Sequence, residues 1–144
     1  MTLMKFEPIN YKALNSRQKE NFNFQKVSAV LADYGFVTIR LSDDWQGADF
    51  IAYHANGETF LKIQLKSRLT VDTKYKNKNI WICFQHKEAW YLFPHDDFLS
   101  WALNNLSIGT TNSWKKGGYS WPSLSKDILS WLNKHELKPV KKTA

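Results

Sequence analysis

The chain has one cysteine, Cys83, so no disulfide can close within it, and the small disulfide-stapled scaffolds are excluded. Cys83 lies in the apolar run Ile80 to Phe84, which predicts a small buried hydrophobe in a reducing compartment and a cytoplasmic protein. No run approaches the roughly 18 apolar residues of a membrane span, so no membrane association is expected. Met1 to Met4 leads into Lys5 and Glu7 without the hydrophobic stretch of a secretory leader. Acidic residues are in deficit, 13 against 20 Lys and Arg, which leaves a formal charge of +7. Such a balance favours a polyanionic partner, because lysines that neutralise phosphates release condensed counterions.

What is present points to a packed domain. Hydrophobic content is 43%, aromatics make up 15%, and seven residues are Trp, enough apolar surface to offset chain entropy. A length of 144 residues suits one domain. Residues 1–137 are expected to form it, and 138–144 to be a basic flexible tail. No internal repeat is visible.

Asn15 to Tyr34 reads as a helix, with Asn15 or Ser16 as cap, apolar Phe24, Val27, Val30 and Leu31 at helical spacing, and Gly35 as stop. Phe36 to Leu41 reads as a strand, and Ser42 to Gly47 as a polar loop that includes Asp43 and Asp44. Two further runs, Asp49 to His54 and Thr59 to Lys66, flank Asn56-Gly57, the strongest short hairpin signal. If those two residues are the centre of a type I′ turn, facing residue numbers sum to a constant. Tyr53 then meets Phe60, Ile51 meets Lys62, and Asp49 meets Gln64. Lys66 lies one step further on the same face, within reach of both, since diagonal neighbours are about 7–8 Å apart. Ile51, Tyr53 and Phe60 share that face, which predicts that it is largely covered. Leu61, Ile63 and Leu65 point the other way, into a core layer.

Thr70 to Asn79 reads as a lysine-rich loop or exposed edge, Ile80 to Phe84 and Ala89 to Phe93 as strands, and Asp96 or Asp97 as the cap of a helix through Leu103. Ser107 to Tyr119 has the composition of an irregular loop, and a last amphipathic helix is expected to end near Leu132.

The order helix, strand, hairpin, strands, helix, with Gly47-Ala48-Asp49 followed by Gln64-Leu65-Lys66, resembles the PD-(D/E)XK nuclease-like superfamily over roughly Asn15 to Asp97. The resemblance implies an α/β fold with a restriction-endonuclease-like core, a central mixed β-sheet flanked by α-helices. It implies a Mg²⁺- or Mn²⁺-dependent endonuclease acting on DNA, assembled as a homo-oligomer. Asp49, Gln64 and the Leu65 backbone carbonyl would bind the metal, Lys66 would assist the attacking water, and Glu20 on the first helix would contribute. Gln25 is a second candidate on that helix. Two positions depart from the family pattern: Ala48 stands where its proline would, and Gln64 where the acid of its second motif would. An amide in place of a carboxylate removes a negative charge, and Glu20 is the acid best placed to compensate. Hard cations such as Mg²⁺ keep several waters and need only one or two carboxylates.

Lys62, Arg68, Lys74, Lys76, Lys78, Lys115 and Lys116 are the candidate phosphate contacts, which would position a duplex without reading its bases. Tyr75, Trp45 and Trp114 are candidates for stacking. Beside the nuclease reading stand a non-catalytic nucleic-acid-binding module with a decayed site and a protein-interaction or regulatory domain. Asp49, Gln64 and Lys66 would then be a polar hairpin face, and the lysines a solvated surface.

Overall fold

The structure is a computed structural model that describes residues 3–141; positions 142–144 of the expected tail lie outside the described residues. Helix α1 spans Ser16–Asp33. Its first turn is closed by a reciprocal cap: the Asn15 side chain accepts the Gln18 N–H at 2.8 Å, and the Gln18 side chain accepts the Asn15 N–H at 2.9 Å. Gly35, at φ 85°, reverses the chain into strand β1, Phe36–Trp45. That strand runs four residues past the expected end at Leu41, so Asp43 and Asp44 sit on extended backbone where the sequence suggested a loop.

The tight turn comes at Gln46-Gly47, whose φ values of 52° and 90° are both positive, as a two-residue type I′ connection requires. It leads into β2, Ala48–His54. A Cβ at Gly47 would come within 3.1 Å of Tyr75 Cδ1, so a side chain there is strained by conformation and would also press on the buried Tyr75 ring. Gly47→Ala is expected to lose about 1–2 kcal/mol, lowering the melting temperature by roughly 3–6 °C in a thermal melt.

Strand β3, Phe60–Lys66, pairs with β2 in the predicted register: Tyr53↔Phe60, Ala52↔Leu61, Ile51↔Lys62 and Phe50↔Ile63. The turn that sets this register is not the expected type I′. Only Gly57 takes a positive φ there, 76°. The Asn56 side chain instead accepts the Glu58 and Thr59 N–H groups at 2.8 and 3.1 Å, and a four-residue loop closes where His54 N–H meets the Thr59 carbonyl.

Beyond the hairpin, Thr70 to Asn79 is more ordered than a loop: β4, Thr70–Asp72, precedes a 3₁₀ turn, Thr73–Tyr75, whose tyrosine is buried in the core. Strand β5, Ile80–His86, lies parallel to β3, and β6, Ala89–Pro94, returns beside it. Helix α2, His95–Asn105, starts directly after Pro94 without a side-chain cap. Asp96 and Asp97 fall inside its first turn, where they suit the helix dipole, and Asp96 accepts the Asn77 N–H at 2.9 Å. The stretch expected to be irregular holds a short helix α3, Asn112–Lys115, and strand β7, Gly118–Ser120, which pairs with β4. Helix α4, Lys126–Leu132, and a two-residue strand β8, Glu136–Leu137, complete the fold.

The architecture is α/β: a mixed six-stranded sheet in the order β1-β2-β3-β5-β6-β8, with helices on both faces. Strand alternation sorts two cores. Phe50, Ala52, Ile63 and Cys83 pack with Val27 and Leu31 of α1, while Ile51, Ile82, Phe84 and Phe93 pack with Phe98 of α2 and Ile128 of α4. Cys83 is buried as expected, and burial holds its thiol well above the usual range. The α2 layer stops short of the β1 end of the sheet. Ile51 is covered, but Tyr53 and Phe60, expected to be covered with it, are exposed. Among the described residues, no helix is long and apolar enough to cross a membrane.

Candidate active site

Asp49 stands where β2 leaves β3. The ladder's last pair is Phe50↔Ile63, and one step further the Asp49 side chain takes over, its Oδ2 accepting the Leu65 N–H at 2.9 Å. In an extended strand a residue's N–H and C=O face the same neighbour, so the Leu65 carbonyl opens on this edge too. Burial pushes the Asp49 carboxyl up to about 6; the Leu65 N–H and the Lys66 ammonium pull it down, while the adjoining Asp44 carboxylate pushes it up.

Gln64, next along β3 from Ile63, is 8% exposed, and its Oε1 is buried without a hydrogen-bond partner. A buried amide oxygen left unpaired costs about 1–3 kcal/mol, and such groups in folded proteins are few. Lys66 extends over the buried Tyr75 ring, 5.4 Å from its centroid, and Lys74 lies over the same ring at 5.2 Å. Tyr75 was a candidate for stacking on bases. It serves instead as a core platform beneath two cations, with burial as the chief cause raising its phenol above the ordinary value.

A cleft of about 820 Å³ opens between the start of α1 and the far end of β1 and includes Asp49, Leu65, Glu20, Asp43 and Asp44. Glu20 thus lines the same cleft as Asp49, whereas Gln25 is exposed and lies outside it. Sequence reasoning passed over two lining residues, the cations Arg17 and Arg40; Asp44, which reads as a loop acid close enough in sequence to approach Asp49, lines the cleft as well. Arg40 donates to Asn21 and lies over the Phe24 ring, 5.5 Å from its centroid. Its position was available from strand alternation, since Arg40 pairs with Phe50 and so faces α1. Cations and acids share this cleft, yet no ion pair among the described residues joins them; the one close His–carboxylate contact lies elsewhere, between His95 and Asp96.

The candidate phosphate contacts divide by position. The Thr73 N–H donates to the Gly117 carbonyl at 2.6 Å, so the loop bearing Lys115 and Lys116 is tied to the turn bearing Lys74, on the Lys66 side of Asp49. Lys76 and Lys78 follow on exposed backbone, and Arg68 is exposed just past β3. Lys62 points to the first hairpin turn, donating to Gln46 Oε1 at 3.1 Å with Trp45 beneath it. Trp45 remains exposed, while Trp114 packs against the core. His95 has a structural post: fully buried, it accepts the Asp72 N–H at Nε2, bonds Asp96 through Nδ1, and is held below its ordinary value chiefly by burial.

No three His, Cys, Asp or Glu side chains among the described residues converge as a metal cluster. The groups at Asp49 nevertheless suit a hard cation that keeps most of its water: two carboxylates crowd together at a cost that a cation would relieve. On the adjoining strand the buried, unpaired Gln64 oxygen is a further hard donor.

No family model and no curated protein sequence matches the chain. Solved structures similar to it include two nucleases. One is Hjc, a Holliday junction resolvase from the archaeal hyperthermophile Archaeoglobus fulgidus, with 19% identity, a TM-score of 0.44, and coverage of 54% of this chain and 74% of the resolvase. The other is the bacterial homing endonuclease I-Ssp6803I, with 15% identity, a TM-score of 0.47, and coverage of 78% of each chain.

Proposed function

We propose that the chain is a Mg²⁺- or Mn²⁺-dependent DNA endonuclease whose site is built on Asp49, Gln64 and Lys66. The observation that carries this reading is the end of the β2–β3 ladder. There a carboxylate raised by burial and a second carboxylate beside it line an open cleft, the Lys66 ammonium on its aromatic platform acts on the first of them, and the adjoining β3 residue Gln64 carries a buried, unpaired amide oxygen. The metal would be held by Asp49 and Asp44, by Gln64 Oε1 and by the Leu65 carbonyl, and when bound it would polarise the scissile phosphate and lower the pKa of a water. Glu20, across the cleft, would add negative charge and a hydrogen-bond acceptor for water near the ion. Lys66 offsets phosphate charge and orients the attacking water, with Tyr75 limiting the rotamers of its long chain. Arg17 and Arg40 on one side, and Lys74, Lys115 and Lys116 on the other, contact flanking phosphates.

The test is incubation with supercoiled plasmid and branched duplexes in Mg²⁺ or Mn²⁺. Metal-dependent nicking that falls by about 10²-fold in Lys66→Ala is the expected result; no cleavage above that variant on any substrate would sink the proposal. The neutral amide at Gln64, which brings no negative charge to a cation, favours one alternative, a nucleic-acid-binding module that has lost metal chemistry. Salt-sensitive binding without nicking would select it.

A further inference from the structure

Tyr75, the ring beneath Lys66, belongs to a crossover whose backbone is tied on either side of it to one pair of side chains. The Asp72 N–H donates to His95 Nε2 at 3.1 Å, His95 Nδ1 meets Asp96 Oδ1 at 2.9 Å, and Asp96 Oδ2 accepts the Asn77 N–H at 2.9 Å. A backbone N–H can only donate, so Nε2 carries the lone pair and the imidazole proton sits on Nδ1, aimed at the carboxylate. Burial chiefly, with Lys76 assisting and the Asp96 and Asp72 carboxylates opposing, holds the imidazole below its ordinary value and so in the neutral form that this arrangement requires. The same imidazole stands edge to face with Tyr75, the ring centroids 5.5 Å apart and the planes at 80°.

We infer that His95 and Asp96 are positioning residues for the Asp49 site: by tying the crossover at Asp72 and at Asn77 they fix the Tyr75 ring, and the ring fixes the Lys66 ammonium. The effect on catalysis rests on the nuclease reading; the clamp itself does not. Lys66 needs such help. Its backbone is held opposite Phe84 of β5, but a flexible four-carbon stem separates that backbone from the ammonium. Among the described residues the ammonium makes no ion pair. The Tyr75 ring, 5.4 Å away, is its platform, and a platform directs a cation only when it is itself fixed.

An apolar side chain could fill the place of His95 at a lower desolvation cost. It could not hold backbone N–H groups on both sides of Tyr75, and a satisfied buried polar network selects one arrangement where apolar packing permits several. His95 is fully buried and Tyr75 is 2% exposed, so little water competes for these bonds. The pair acts from the first turn of α2 on a segment that is also tied, through Thr73, to the Gly117 loop. The ring lies against Gly47 as well, whose missing side chain leaves it room. Lys74 shares the ring, so one clamp sets two cations.

NMR of the full chain without metal, with lysine isotopically labelled at its ε-methylene, tests this. Ring current is expected to displace the Lys66 ε-proton signal, assigned by its loss in Lys66→Ala, upfield of its place in Tyr75→Leu. His95→Asn leaves the Asp72 N–H without its acceptor; Asp96→Ala releases Asn77 from a half-exposed position that spares the fold. Each is expected to abolish most of the displacement, while the signals of Lys19, Lys26 and Lys62, which lie over rings elsewhere, stay in place. In cleavage, Asp96→Ala is expected to lower kcat by about 10-fold in the unaltered chain and by less than about 2-fold in Lys66→Ala, where nothing is left to position. An unmoved Lys66 signal in Asp96→Ala would overturn the inference. So would control lysines that move with it, the mark of a general loosening, or a kcat loss that persists in full without Lys66. A chain that never cleaves DNA defeats the nuclease reading alone, and the lysine signals then decide the clamp by themselves.

Discussion

Asp49→Asn is expected to lower metal-dependent cleavage by 10³-fold or more and, in EDTA, to leave the protein more stable than before. The two effects have one cause. The carboxylate sits where burial and the Asp44 charge oppose its ionisation, so the folded chain holds that proton more tightly than the unfolded chain does. A group whose pKa is raised on folding stabilises the fold below its unfolded value and loses that contribution as pH rises through the folded value. The unaltered protein in EDTA should therefore lose stability between about pH 4 and pH 6 relative to Asp49→Asn, in which the amide oxygen can still accept the Leu65 N–H. Melting curves across that range should show the variant higher by a few degrees above it. Adding Mn²⁺ should raise the melting temperature of the unaltered chain only. A variant that melts lower than the parent in EDTA would show that Asp49 is a structural residue.

Gln64→Glu is expected to make the fold depend on metal. The position is 8% exposed, and its oxygen has no donor to receive a charge. A buried carboxylate without a partner costs about 3 kcal/mol, which for a chain of this length corresponds to roughly 6–12 °C in alkaline buffer with EDTA. The loss should shrink in acid, where the side chain can stay protonated. Mn²⁺ should recover it, because the new carboxylate would gain the cation it lacks, and cleavage at limiting metal should rise. If Mn²⁺ fails to restore the melting temperature, Gln64 does not face the metal.

The register of the central hairpin was legible because the loop length between β2 and β3 fixes facing residues whatever the turn conformation, and the observed pairs run as expected from Tyr53↔Phe60 to Phe50↔Ile63. The turn conformations were not legible. Asn56-Gly57 carries the type I′ signal, but Asn56 uses its side chain as an acceptor for two backbone N–H groups, an option that propensity does not weigh. Gln46-Gly47 takes that conformation although Gln is a poor residue for positive φ, and with it Asp44 moves from a loop onto a strand beside Asp49. Tyr75 read as an exposed aromatic among lysines. Only the pairing of β4 with β7, distant in sequence, turns it inward. The cleft residues Arg17 and Arg40 come together through the packing of α1 on β1, which helical spacing alone leaves undetermined.

The parallel step from β3 to β5 has a consequence for how the molecule assembles. Strands β1 to β3 form a meander of short connections and can pair early, but β5 must wait for the crossover from Ser67 to Asn79 to be laid down. Tyr75 belongs to that crossover, and it is buried only when β7, some 45 residues later, has closed on β4. A newly made chain therefore has the β1–β3 meander in place before anything restrains Lys66, and the ring beneath that lysine is among the last things to be fixed.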